Sequence, residues 1–254
     1  MSELRLGLKI RMISDFGEHY IRKHLHHVDV RRLCEDWWEA LKFFFSRVFY
    51  QGRRDDISQR VEKVVREVLS EYFDDPLKRD HEFDRLMSQN WEEVRASLGE
   101  KIGKGKVGRR RDIEMTIETL KFISRLPGRN IVRYSMAEIE AGRLGEHWFE
   151  LQGIKSVGEK TSSLYLRDLV VIMRLEGEIS EEDEEYLQPL DTWVMRVCEE
   201  LGLIEKKPET RKDRTELRRR IVETCREIDV SPIKFNMGAW YMATNALYLL
   251  LDRL

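Results

Sequence analysis

Apolar residues recur at three- and four-residue steps along most of this chain. Between Val30 and Tyr50, the residues Leu33, Trp37, Leu41, Phe44 and Val48 form one stripe. That spacing is a single helix face. The stretch Ile57 to Phe73 repeats it with Ile57, Val61, Val64, Val65, Val68 and Leu69, and Pro76 closes the run. A shorter helix is expected from Met87 to Leu98, with Gly99 opening a loop. The next runs from Asp112 to Leu126 and is stopped by Pro127-Gly128. Further helices are predicted over about Met136–Gln152, Glu159–Leu175, Thr192–Leu201, Arg211–Glu227 and Ser231–Leu251. Strand-type alternation is nearly absent, and Asn130-Ile-Val-Arg-Tyr134 is the only brief candidate. The pattern predicts an all-α fold, without a repeat in the roughly 20–50-residue range of a solenoid.

Composition narrows the class. Of 254 residues, 36% are charged and 41% hydrophobic, as in a soluble globular protein long enough to bury a real core. No apolar run reaches the roughly 20 residues needed to span a bilayer. The start, Met1-Ser-Glu-Leu-Arg5, lacks the apolar stretch of a signal peptide. An intracellular protein is expected. Net charge is −2, so a nucleic-acid binder would have to segregate its basic residues. The high Glu, Lys and Arg content suits a thermophile.

Metal chemistry finds little support. Cys34, Cys198 and Cys225 include no C-x-x-C pair, so they build neither a zinc site nor a four-cysteine iron–sulfur cluster. They read as buried, inert thiols, with a Cys198–Cys225 bridge as the alternative. His24, His26 and His27 are close in sequence but point in different directions on a helix, and read as a polar face.

Two loops differ in charge. Lys101-Ile-Gly-Lys104-Gly-Lys106-Val-Gly-Arg109-Arg110-Arg111 carries six positive charges and no acid. Such a loop suits phosphate contacts, although a solvated basic loop looks the same. The stretch Glu176 to Leu190 holds seven acids and is expected to face solvent. Between them lies Ser156-Val157-Gly158, a small residue and a glycine that permit a tight turn with positive φ between two helices. Glu159, Lys160 and Thr161 begin the second helix, whose N-terminal amides can hold a phosphate. The helix dipole and partial burial both favour the neutral, nucleophilic amine of Lys160. Asp191, before Thr192-Trp193-Val194, has the position of an N-cap. Taken singly, the lysine is an ordinary helix-start residue and the aspartate an ordinary cap.

Taken together, the two segments resemble a known family. Ile154-Lys-Ser-Val-Gly-Glu-Lys-Thr-Ser162 is similar to the helix-hairpin-helix of the DNA glycosylase superfamily (HhH-GPD), with its L-P-G-V-G-x-K-T-A pattern. Leu190-Asp-Thr-Trp-Val-Met-Arg-Val197 is similar to that superfamily's V-D-T-H-V-x-R-V. Phe49-Tyr-Gln51-Gly-Arg53-Arg54 resembles the upstream L-S-Q-Q-T segment beside the opened base pair. The missing cysteine cluster and the long acidic insert look more like the 8-oxoguanine glycosylases, particularly the archaeal GO glycosylase, than like endonuclease III. There are departures: Ser156 stands for the first hairpin glycine, Lys155 for a proline, and Trp193 for a histidine.

The resemblance implies two helical subdomains, residues 1–29 with about 190–254, and about 30–189 with the hairpin at about 145–175. It implies catalysis by Lys160 as nucleophile and Asp191 as the stabilising carboxylate. Backbone carbonyls of Gln152, Ile154 and Val157 would hold a monovalent cation, K+ or Na+, with no cofactor required and no iron–sulfur cluster. Contacts to double-stranded DNA with a damaged or abasic site would come from Gln51, Arg53, Arg54, Lys101, Lys104, Lys106, Lys155, Ser156, Val157, Gly158 and Thr161. Gln51 would fill the gap left by a flipped nucleotide, and Val157 would lie against a sugar. Trp193, Asn236, Trp240 and Tyr241 would line a base pocket. The expected activity is removal of an oxidised base, 8-oxoguanine, with strand cleavage. The alternatives are an abasic-site lyase and a noncatalytic DNA-binding module. The expected setting is the cytoplasm or nucleoid of a thermophilic archaeon.

Overall fold

The structure, a computed structural model, describes residues 3–51, 54–105 and 108–245, with backbone alone for Glu3 and 103–105. Among the described residues there are thirteen α-helices and short 3-10 turns, and no strand. No helix of the described residues is long and apolar enough to cross a membrane. The chain divides into two compact units, one of residues 1–28 with 166–254, the other of residues 29–165.

The middle unit holds α2 (Val30–Glu35), α3 (Trp37–Val48), α4 (Asp55–Phe73), α5 (Arg79–Ser88), α6 (Glu92–Gly105), α7 (Arg110–Ile123), α8 (Ile131–Glu140), α9 (Leu144–Leu151) and the start of α10 (Glu159–Met173). The stripe read from Val30 to Tyr50 is buried as expected, but on two helices. Asp36 interrupts them, because its extended backbone (φ −120°) lets Oδ1 accept from the Trp38 amide at 2.8 Å. A side chain that caps a new helix outcompetes continuation of the old one. The expected helix from Met87 to Leu98 straddles a break. Asn90 and Trp91 take positive φ there, and Gly99 lies inside α6. Residues 101–105, read as loop, are therefore helical. The strand candidate at Asn130–Tyr134 is the start of α8. Asn130 caps it through the Arg133 amide (2.9 Å) and donates to the Leu33 carbonyl (2.8 Å). Rings of Trp37, Phe73, Phe83 and Trp91 pack edge-on or tilted against one another through the interior, which favours one arrangement.

The other unit contains α1 (Glu3–His24), the rest of α10, α11 (Thr192–Glu200), α12 (Arg211–Glu227) and α13 (Pro232–Asn245). Its core joins Ile10 and Ile13 to Val194, Val197, Cys198, Leu217, Ile221, Phe235 and Ala239. Helices α1 and α13 touch backbone to backbone. A Cβ at Gly238 would lie 1.8 Å from the Ile13 carbonyl oxygen, so only glycine fits. The first boundary falls at Val28/Asp29, beside the expected 29/30. The second falls inside α10 and not near 190. The reason is polar: Arg167 bonds Asn236 of α13, and Asp168 bonds Tyr20 of α1. The acidic stretch expected in solvent is also tied down, since Glu184 pairs with Arg226 and Glu185 with Arg219 of α12. All three cysteines are free, and Cys198 and Cys225 are buried. Burial pushes the Cys225 thiol up to about 12, and the Cys198 thiol is raised for the same reason.

Candidate functional site

In the middle unit, α9 turns into α10 through residues 152–158. The turn is tied amide by amide: Gly153 to the Glu150 carbonyl (2.9 Å), Ile154 to Leu151 (3.1 Å) and Val157 to Ile154 (3.0 Å). The left-handed position is Ser156, with φ 70°, and Gly158 does not share it. The turn with positive φ expected of Ser156-Val157-Gly158 is present, and it is the small residue that takes it. A left-handed L-residue such as Ser156 costs about 1–2 kcal/mol.

Several expected DNA contacts serve the turn itself. Val157 is 4% exposed and anchors the turn instead of presenting its side chain to a sugar. Thr161, also 4% exposed, uses its hydroxyl to accept the Gly158 amide (3.0 Å) and to donate to the Gly158 carbonyl (3.1 Å). That amide is therefore closed off locally. Gln51, expected to fill a gap in a duplex, is buried and donates to the Ser156 carbonyl (3.1 Å) and the Met115 sulfur (2.8 Å). It bolts the left-handed residue to α7. Lys155 is exposed and lies 3.5 Å from Glu114, which also meets Arg95 (3.0 Å) and Arg110 (3.7 Å). Lys101 pairs with Glu71, and Arg54 with Asp56. Arg53, Lys106 and the Lys104 side chain lie outside the described residues. Lys160 is half-buried in the first turn of α10.

The carbonyls of Gln152, Ile154 and Val157 can be tested as a cation cradle. The Ile154 oxygen already accepts the Val157 amide. A carbonyl has two lone pairs, so this bond leaves one of them on the Ile154 oxygen and does not itself decide whether an ion is held there. A cleft of about 470 Å³ lies against the same turn, lined by Phe122, Arg125, Tyr134, Glu150, Gly153 and Ile154 among others. Sequence reading did not find it, because its walls come from three separate stretches, 118–127, 134 and 150–154. Behind it, His147 bridges Ser135 (2.8 Å) and Glu150 (2.9 Å). The order Ser-His-Glu suggests a hydrolase triad, but Ser135 is fully buried on the Ile131 carbonyl and is a core link.

In the other unit, Asp191 is the N-cap of α11, as its sequence position predicted. Its Oδ1 accepts the amides of Trp193 and Val194, both at 2.9 Å. Trp193 is exposed, Trp240 is half-buried edge-on to Tyr20 and His24, and Tyr241 stacks on His19. Asn236 is fully buried. It accepts from Arg167 Nη1 (2.7 Å) and donates to the Pro189 carbonyl (3.4 Å), so both ends of its amide are spent inside the unit. Arg167, Asp168 and Tyr20 were missed. The signal was present in Leu164-Tyr-Leu-Arg-Asp-Leu-Val-Val-Ile172, where an adjacent ion pair interrupts an apolar helix. Among the described residues no group of His, Cys, Asp and Glu could hold a metal ion.

In comparisons with known proteins, no family model, no curated protein and no solved structure matches the chain.

Proposed function

We infer that this protein is a DNA base-excision enzyme that removes an oxidised base, 8-oxoguanine, and then cleaves the strand. The observation that carries the reading is the left-handed turn at Ser156, held by Gln51 and leading directly into the helix of Lys160. A serine kept in that strained conformation is costly, and such strain concentrates where a backbone shape is needed. The N-cap geometry of Asp191 adds to it, because capping fixes the direction of a carboxylate that would face a sugar.

The chemistry is as follows. Exposed cations, among them Lys155, and the start of α10 hold the phosphates of a duplex. The damaged nucleotide leaves the stack, at roughly a few kcal/mol. Lys160 Nζ, once it has given up its proton, attacks C1′, forming a C–N bond as the glycosidic bond breaks, and the base departs with its electron pair. Asp191 stabilises the positive charge that develops on the sugar. Nitrogen then gives up a proton while the C1′–O4′ bond breaks and O4′ takes a proton, which opens the sugar ring to a Schiff base; its β-elimination removes a C2′ proton and breaks the C3′–O bond, releasing the 3′ phosphate. No metal or cofactor enters these steps.

A second reading, a lyase acting only on abasic sites, is favoured by Asn236, whose amide is spent on Arg167 and Pro189 and is lost to base reading. Borohydride trapping separates the two. Adducts on both an 8-oxoguanine duplex and an abasic duplex, lost in Lys160→Gln, support the glycosylase. An adduct on the abasic duplex alone leaves the lyase, and none on either refutes both.

A further inference from the structure

Arg167 and Asp168 are unusual in being charged neighbours with almost no exposure, 1% and 0%. Burying an ion pair gains little stability over apolar packing, so a pair kept there invites a positional explanation. Each partner is directed. Asp168 Oδ1 accepts from Arg167 Nε (3.0 Å) and Nη2 (2.7 Å), and Asp168 Oδ2 accepts from the Tyr20 hydroxyl (2.9 Å). The guanidinium lies 4.7 Å from the Tyr20 ring centroid. Its remaining arm, Nη1, reaches Asn236, and Asn236 reaches the carbonyl of Pro189. Pro189 is two residues before Asp191, and Pro189 and Leu190 are both buried.

We propose that Arg167 is a positioning residue for Asp191, acting through Asn236 as a strut on the Pro189 carbonyl. The planar fork of Arg167 has its directions set by Asp168 and Tyr20, so it can orient the Asn236 amide with its N–H toward Pro189. The strut fixes the backbone entering α11, and hence the carboxylate that caps it. Burial disfavours the charge on Arg167, but Tyr20, Asp168 and Asp191 more than compensate, and the guanidinium stays charged. Asn236 is then a structural link and not a reader of the base. The catalytic consequence rests on the excision reading; the strut itself does not.

The test uses the full chain with Asn236→Asp, which keeps an acceptor for Arg167 and removes the donor to Pro189. Asn236→Ser, too short to span both partners, is the second variant should the first not fold. Amide hydrogen exchange reads the cap directly. The Trp193 and Val194 amides are expected to exchange about tenfold faster in either variant. The Asp213 amide, capped by Thr210 at the start of α12, is the internal reference and is expected to be unchanged. In single-turnover excision the chemical rate is expected to fall by about tenfold with duplex affinity unchanged, since small misplacements cost large factors. Unchanged cap amides, or equal acceleration at Asp213, overturn the strut. A change in base discrimination with an intact cap assigns Asn236 to the base instead. A wild-type protein that excises nothing and traps nothing refutes the enzymatic reading, while the exchange result still decides the strut.

Discussion

The turn between α9 and α10 makes a prediction opposite to the one its sequence suggests. In Ser156-Val157-Gly158, the glycine would ordinarily be the irreplaceable residue. The structure gives φ 70° to Ser156, and nothing lies within 4 Å of a Cβ built on Gly158. Relief of a left-handed L-residue is worth about 1–2 kcal/mol. A new glycine costs about 0.5–1 kcal/mol in extra chain entropy. Ser156→Gly should therefore stabilise the protein by about 0–1.5 kcal/mol. Gly158→Ala should stabilise it by about 0.4–1 kcal/mol, through the unfolded chain. In a chain of this size each kcal/mol is worth about 2–4 °C in Tm. Denaturant and thermal unfolding of the two single variants measure these shifts. Duplex binding adds a second axis, because a methyl at Gly158 intrudes where a phosphate would approach the backbone. Gly158→Ala is expected to be more stable and to bind DNA about tenfold more weakly, whereas Ser156→Gly keeps its affinity. Destabilisation of Gly158→Ala by 1 kcal/mol or more (~) would refute the reasoning, since it would place the left-handed residue at 158.

Other outcomes follow from the same structure. Gly238→Ala forces α1 and α13 apart, because the obstructing atom is the Ile13 backbone; a loss of about 3 kcal/mol is expected by denaturant titration, and a neutral result contradicts the close contact. The hydrogen bond from His147 holds the Glu150 carboxyl below its ordinary value of 4.5, outweighing burial. A depressed folded value gives stability that is present above the unfolded value and lost as pH falls through the folded one. Glu150→Gln should thus flatten the stability loss below about pH 4.5, measured as unfolding midpoints, and an unchanged acid limb rejects the pairing. Of the three thiols, half-buried Cys34 should react first with a disulfide reagent, with Cys198 and Cys225 waiting on unfolding; early labelling of either rejects their burial.

The sequence was most legible where a local signal matched the tertiary structure. The limits of α12, Arg211–Glu227, are those read from the chain, since Thr210 and Asp213 form a capping box at its start. The cap at Asp191 was equally visible. Legibility failed where one side chain reversed the pattern. Asp36 divides an unbroken apolar stripe, and Asn130 turns a β-branched segment into a helix start. At the site, the hairpin's position was readable but its inner wiring was not. Gln51 meets Ser156 and Met115 across long sequence separations, and nothing in its neighbourhood signals burial. The Arg167 cluster draws on α1, α10 and α13, so no single window contains it. The unit boundary inside α10 follows from those same contacts and was invisible for that reason.

The central claim is that Lys160 is the amine that joins the sugar. It is tested most directly by reducing the protein with borohydride on an abasic duplex, then digesting both and mapping the modified peptide by mass spectrometry. A reduced sugar on Lys160 blocks tryptic cleavage there, so the account predicts one modified peptide running from Ser156 to Arg167. A sugar on any other lysine or on the N-terminal amine, with the Ser156-to-Lys160 peptide released unmodified, would contradict it.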